Sequence, residues 1–133
     1  MATLNDPDVQ ELLRQPNHAV ISTHNKDGSI HQAMVWIDTE NGLVAVNSLV
    51  GRLWPANLQR NPHATALVFQ SDSPAHYVEI RGTATATRQG ANEHADRLTK
   101  KYMGLDEYPW HQPGDERIKF LITPERVRHV KMG

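Results

Sequence analysis

At 133 residues the chain fits a single domain, 1–133, able to bury roughly two thirds of the surface it exposes when unfolded. A net charge of -1 lacks the basic excess of a nucleic-acid binder, and the absence of cysteine rules out disulfides, thiolate metal sites and thiol nucleophiles. No apolar run approaches the roughly 20 residues that span a bilayer, and the opening MATLNDPDVQELL has no basic segment followed by a long apolar one, so a cytoplasmic domain without membrane contact is expected.

In chain order, Asn5 or Asp6 can cap a first helix, with Pro7 at its first position and Val9, Leu12 and Leu13 as its apolar stripe. Gln15-Pro16-Asn17 ends it. His18 to Thr23 then reads as a strand, joined to Ile30–Ile37 through Asn25-Lys26-Asp27-Gly28, where Asp-Gly is a strong hairpin signal. A second hairpin at Asp38-Thr39-Glu40-Asn41-Gly42 leads to Leu43–Val46, which predicts a meander. Ala64 to Gln70 is a strand and Ser71-Asp72-Ser73-Pro74 a turn. Tyr77–Arg88 alternates over its length, with Val78, Ile80, Gly82, Ala84 and Ala86 on one face, and Gly82 predicts a bulge or barrel corner. A polar helix over Gly90–Tyr102 carries Ala91, Ala95 and Leu98 on one side. Met103 to Pro113 shows no periodicity. Arg117–Ile122 and Arg126–Met132 read as strands about a turn at Thr123-Pro124-Glu125. Six to seven short, hairpin-linked strands with about three short helices indicate a mainly β antiparallel barrel.

One stretch, Val46 to Leu67, has a character of its own. Asn47 and Ser48 put short polar side chains at a strand tip, Gly51 frees the backbone, and Arg52–Arg60 suits two to three helical turns, with Leu53 and Leu58 apolar and Arg52 and Arg60 on the rim. Asn61-Pro62 stops the helix. A strand feeding a helix start through serine and glycine, with arginine nearby, can hold a phosphate, because open amides and the positive helix end favour anions. An ordinary strand-loop-helix with a solvated face fits the same residues.

Taken together, Ala19-Val20-Ile21-Ser22-Thr23, the Asp27-Gly28 hairpin leading to Met34-Val35-Trp36, Gly51-Arg52-Leu53-Trp54-Pro55-Ala56-Asn57-Leu58 before Asn61-Pro62, Tyr77-Val78-Glu79-Ile80-Arg81-Gly82-Thr83-Ala84, and Lys101-Tyr102-Met103-Gly104 ahead of Tyr108-Pro109 carry a resemblance. In their order and spacing the chain resembles the pyridoxamine 5'-phosphate oxidase-like split-barrel superfamily, and within it the small actinobacterial coenzyme F-420 (deazaflavin)-dependent reductase type. The resemblance implies an FMN-binding-type split barrel that forms a homodimer, with the cofactor in a groove at the interface. By position, Gln32, Ala33 and Met34 would line the ring. Asn47, Ser48, Gly51, Arg52 and Asn57 would lie near the phosphate and side chain. Many relatives carry lysine where this chain has Trp54, so Arg52 and Arg60 would have to supply the charge.

The implied activity is hydride transfer from the reduced deazaflavin to a small or planar conjugated substrate. Such chemistry needs no nucleophile, and no GxSxG, P-loop or GxGxxG occurs. Tyr77, Tyr102 and His111 are candidate proton donors, with water an equal alternative. An FMN-dependent oxidoreductase, or a binding module for a cofactor or planar ligand, would use the same groove. The eight histidines lack HxH or HExxH spacing, and although His18, His24 and His31 could approach across the first hairpin, they read as strand-end residues, so no metal is expected. Trp36, Trp54 and Trp110 read as core or interface packing.

Overall fold

The computed structural model describes residues 2–132. Helix α1, Pro7–Arg14, buries Val9, Leu12 and Leu13 as its stripe requires. The Asp6 carboxylate makes no side-chain cap. It accepts instead from the backbone N–H and hydroxyl of Thr3, 3.1 Å each. Strands β1, His18–His24, and β2, Ile30–Val35, form the first hairpin. The next strands are β3, Ile37–Glu40, and β4, Leu43–Leu49. Helix α2 spans Leu53–Arg60, β5 His63–Gln70, β6 Ser73–Thr87, α3 Ala91–Met103 and β7 Arg117–Lys131.

These seven strands form one antiparallel sheet in the order β2-β1-β5-β6-β7-β4-β3. The expected meander is therefore wrong. Ile30 to Ile37 is not one strand: it breaks at Trp36 into β2 and β3, which pair on opposite edges of the sheet. A single residue separates two strands at opposite ends of the order, and one residue spans only about 3.5 Å. The sheet must curl until its edges meet, which makes it a split barrel. Its interior is filled by Ile21, Ile37, Val44, Val46, Val68, Val78, Ile80, Ile118, Phe120 and Ile122.

A second expectation also changes. Thr123-Pro124-Glu125 is not a turn but part of the continuous β7, whose register slips opposite Arg81 and Gly82. Arg81 pairs with Arg126 and Gly82 with Pro124, so Glu125 is the extra residue of a bulge, where a proline costs no ladder bond. Gly82 is required there, because a Cβ would lie 2.1 Å from the Thr123 carbonyl oxygen. In α2 the buried residues are Trp54, Pro55, Asn57 and Leu58, and Leu53 faces outward. Ala86 likewise ends exposed, past the buried run of β6.

Candidate functional site

A cavity of about 410 Å³ opens where the β2-to-β3 crossing, β4, the start of α2, α3 and the segment 104–116 converge. Met34 and Trp36 come from the crossing, Asn47 and Ser48 from β4, and Arg52 and Trp54 from the start of α2. Tyr102 of α3, Tyr108 and Trp110 of the following segment, and Arg117 at the head of β7 complete its main walls. Among the described residues no carboxylate lines it, and two arginines do.

The aromatic wall is continuous. Trp36 stacks on Tyr102 with centroids 5.3 Å apart and planes 5° apart. Tyr108 meets Trp36 edge-on at 6.5 Å and Trp110 edge-on at 5.6 Å. The Arg117 guanidinium lies over the Tyr108 ring, 4.2 Å from its centroid. Trp54 is 7% exposed and packs on Phe120, so its indole belongs to the core as well as to the cavity wall. Trp110, 56% exposed, is not a core residue.

At the α2 end, the Gly51 backbone has φ +99, a conformation suited to glycine. Arg52 is the N-cap residue and makes no side-chain cap bond, so the first-turn N–H groups of Leu53 and Trp54 have no capping partner. Among the described residues Arg52 has no carboxylate partner. Asn47 and Ser48 lie within β4, opposite Lys119 and Ile118, rather than at a loop tip.

Behind Asn47 a polar chain runs from the buried His94 out to the exposed Arg97. The Asn47 Nδ2 donates to the Ala91 carbonyl at 2.8 Å, and its Oδ1 accepts from Arg117 Nη1 at 3.1 Å. A carbonyl only accepts and a guanidinium only donates, so these two neighbours fix the amide's orientation. The second Nδ2 hydrogen then points to His94 Nδ1, 3.1 Å away. Nδ1 is therefore the acceptor, and the ring carries its proton on Nε2, donated to Asp38 Oδ1 at 2.8 Å. Arg97 donates to Asp38 Oδ2 and Glu40 Oε1, 3.0 Å each, and Lys119 closes the chain on Glu40 Oε2 at 2.8 Å. Burial works to raise the Asp38 carboxyl, but the hydrogen bonds from His94 and Arg97, with the Arg97 charge, outweigh it and hold the group below the usual carboxylate range.

The expected site residues divide. Met34, Asn47, Ser48, Arg52, Trp54 and Tyr102 converge on the cavity, while Gln32, Ala33, Gly51, Asn57, Arg60, Tyr77 and His111 do not line it. Gln32 is exposed and bonds Ser22 Oγ, and Ala33 packs against the core. Asn57, 1% exposed, donates to Thr23 Oγ1 at 3.1 Å and Asn25 Oδ1 at 2.9 Å. Arg60 donates to Asn57 Oδ1 and to the His24 carbonyl, which ties α2 to the first hairpin. Tyr77 lies within β6 between Phe69 and Val130, and His111 lines a separate hollow with Asp96, Glu107, Tyr108 and Arg117. The Tyr102 hydroxyl donates to the Asn17 carbonyl at 2.8 Å and accepts from the Ile37 N–H at 3.3 Å, and burial pushes its pKa up to about 12.

His18 sits at the opposite end of β1 from His24, stacked on Phe69, so the first-hairpin histidines do not gather. Among the described residues no group of three or more His, Asp or Glu is placed to hold a metal. None of those residues forms a helix long and apolar enough to cross a membrane.

Sequence reasoning missed His94, Asp38, Tyr108 and Arg117. A signal existed for His94: Ala91, His94, Ala95 and Leu98 follow the i, i+3, i+4, i+7 spacing of one helix face, so the histidine falls on the buried stripe and needs partners.

The model of the pyridoxamine 5'-phosphate oxidase family matches residues 6–131. No curated protein matches the chain. Among solved structures, one described as an F420 reductase has a TM-score of 0.77 at 20% identity, covering 90% of this chain and 94% of its own. A conserved hypothetical protein of Mycobacterium tuberculosis matches with a TM-score of 0.77 at 17% identity, over 95% of this chain and 84% of that one. General stress protein 26 of Bacillus anthracis matches at 0.70 and 17% identity, over 92% and 91%. At these identities the likeness is one of fold.

Proposed function

The chain belongs to the pyridoxamine 5'-phosphate oxidase family, and on that premise we propose that it is an oxidoreductase that binds the deazaflavin coenzyme F-420 and reduces a small or planar conjugated substrate. The observation that carries this reading is the cavity itself: about 410 Å³, walled by stacked aromatic rings, lined by two arginines and, among the described residues, by no carboxylate. Pockets of roughly 300–1,000 Å³ with apolar walls and few polar groups are typical of cofactor sites. A planar, anionic ligand suits these walls.

The residues present fit such a group. The Trp36–Tyr102 stack and Met34 would flank a planar ring. Arg52 and the uncapped first turn of α2 would take a phosphate, in place of the lysine that Trp54 replaces. When bound and reduced, a deazaflavin supplies a hydride from its ring carbon. The chain's own part is to bind, orient and exclude water. The Tyr102 hydroxyl proton is held by the Asn17 carbonyl, so water or solvent is the better source of any proton the product needs. FMN offers the same ring shape and phosphate and stands as the second reading.

A homodimer is part of the proposal. Ile30 and Met34 are 53% and 60% exposed on the edge strand β2, with Leu53 and Trp110 exposed as well, and a second copy would cover them. Fluorescence titration with oxidised F-420 and FMN in parallel tests the cofactor. Micromolar or tighter binding of F-420 in preference to FMN supports the leading reading, preference for FMN selects the second, and binding of neither overturns both. Arg52→Ala is expected to weaken the preferred cofactor by about 1–3 kcal/mol, the scale of a lost charge-assisted bond. Unchanged affinity would remove the phosphate from α2.

A further inference from the structure

Arg117, like Arg52 on the same cavity, meets no carboxylate among the described residues. Arg97 and Lys119 meet Asp38 and Glu40, and the neighbouring Arg88 meets Glu116. The Arg117 side chain makes one protein hydrogen bond among the described residues, Nη1 to Asn47 Oδ1 at 3.1 Å, and lays one face on Tyr108. Both contacts restrain the guanidinium, and neither uses its Nε and Nη2 hydrogens. Those two hydrogens form a fork that matches a carboxylate or phosphate edge. Asn47 is itself held, since its Nδ2 donates to the Ala91 carbonyl and to His94 Nδ1, and His94 donates to Asp38.

We propose that Arg117 is a specificity-determining residue of the cavity, receiving an oxyanion of a bound planar ligand on its free Nε/Nη2 edge, and that Asn47, His94 and Asp38 are the residues that position it. This rests on the cavity being the ligand site proposed above. Arg117 is half-buried with no carboxylate at ion-pair distance among the described residues, and an incoming oxyanion would supply that opposite charge. Restraint before binding lowers the ordering cost of the contact. Had the His94 proton been on Nδ1, the Asn47 amide would have to turn, placing its NH2 against the guanidinium. The buried tautomer thereby reaches the cavity wall. The oxyanion could belong to the substrate or to the cofactor, and the probes below separate the two.

Sodium benzoate, a planar carboxylate, and benzamide, its neutral isostere, are titrated into the full chain while the Arg117 Nε–H and tryptophan indole signals are followed by NMR. Benzoate is expected to shift both, with affinity at least tenfold weaker in Arg117→Gln, while benzamide binds more weakly and is unaffected by the substitution. FMN and riboflavin, which differ by the phosphate, form the second pair. A loss confined to FMN in Arg117→Gln assigns the oxyanion to the cofactor, and a loss confined to benzoate assigns it to the substrate. Equal binding of benzoate and benzamide, absence of benzoate binding, or indifference of both anions to Arg117→Gln overturns the proposal.

For the positioning residues, His94→Gln should weaken the anion in the wild-type background and have no further effect in Arg117→Gln, a non-additivity that simple loss of stability does not produce. Additive losses overturn the positioning role. If His94→Gln fails to fold, Asn47→Ala takes its place in the same cycle. Because benzoate needs no flavin-type cofactor, failure of the F-420 and FMN titrations leaves this test intact and distinguishable.

Discussion

Asn47 and Asn57 stand ten residues apart on either side of the same strand-to-helix passage, and the structure uses them in opposite ways. Asn57 is on the buried face of α2 and its partners close on the protein itself: Thr23, Asn25 and Arg60, with Arg60 running on to the His24 carbonyl. Asn47 has an equally full set of partners, but its set ends in Arg117, a residue of the cavity lining. The closed network ties a helix to a hairpin. The open one ends where a ligand would sit. Hydrogen bonding of a buried amide therefore says little about function until the far end of its network is known.

The largest effect that would sharpen this contrast is Asn57→Ala. It leaves Thr23 Oγ1 and the Asn25 amide oxygen without their donor at a site only 1% exposed, and takes from Arg60 one of its two acceptors. Unsatisfied buried groups cost about 1–3 kcal/mol each, and partial access of water should leave a total near 3 kcal/mol by urea unfolding. A loss under about 1 kcal/mol would show that water replaces the amide and that the network is not closed. Asn47→Ala comes next, with a smaller stability loss of about 1–2 kcal/mol, since the residue is only half-buried. Its affinity for FMN or F-420, whichever binds, should fall by more than that of Asn57→Ala. The reverse order would break the contrast.

Much of the barrel was legible. Asp27-Gly28 and Asn41-Gly42 set two hairpins, the glycines at 28 and 42 having φ of +87 and +77, and the Gly82 irregularity was visible in the alternation around it. The break at Trp36 was not. Inward positions 33, 35 and 37 keep one phase across it, and alternation reports which face a side chain takes, never which strand lies alongside. For the same reason proline at 124 read as a turn, because only the partner strand reveals that one extra residue is being absorbed. The cavity was legible where its lining is local, at Ser48 and Arg52, and illegible where it is not. His94 meets partners 47 and 56 residues away, and Arg117 meets Asn47 across 70.

Tyr102 offers the smallest and most discriminating test, because it joins the two kinds of region. Its ring stacks on Trp36 in the cavity wall, while its hydroxyl bonds the backbone of Asn17 and Ile37 as a structural tie. Tyr102→Phe keeps the ring and removes the tie, so ligand affinity should hold while stability falls by about 1 kcal/mol near pH 8. Burial raises the folded pKa to about 12 from an ordinary value of 10.0. Between those values the unfolded chain has released the phenolic proton and the folded chain has kept it, so the wild type loses stability as pH rises through this window. The phenylalanine variant has no such proton to lose. The gap between the two proteins should therefore narrow from pH 10 towards pH 12, and other titrating groups cancel in the difference. A gap that stays constant would mean the hydroxyl reaches solvent, which would return Tyr102 to the candidates for proton donation in the cavity.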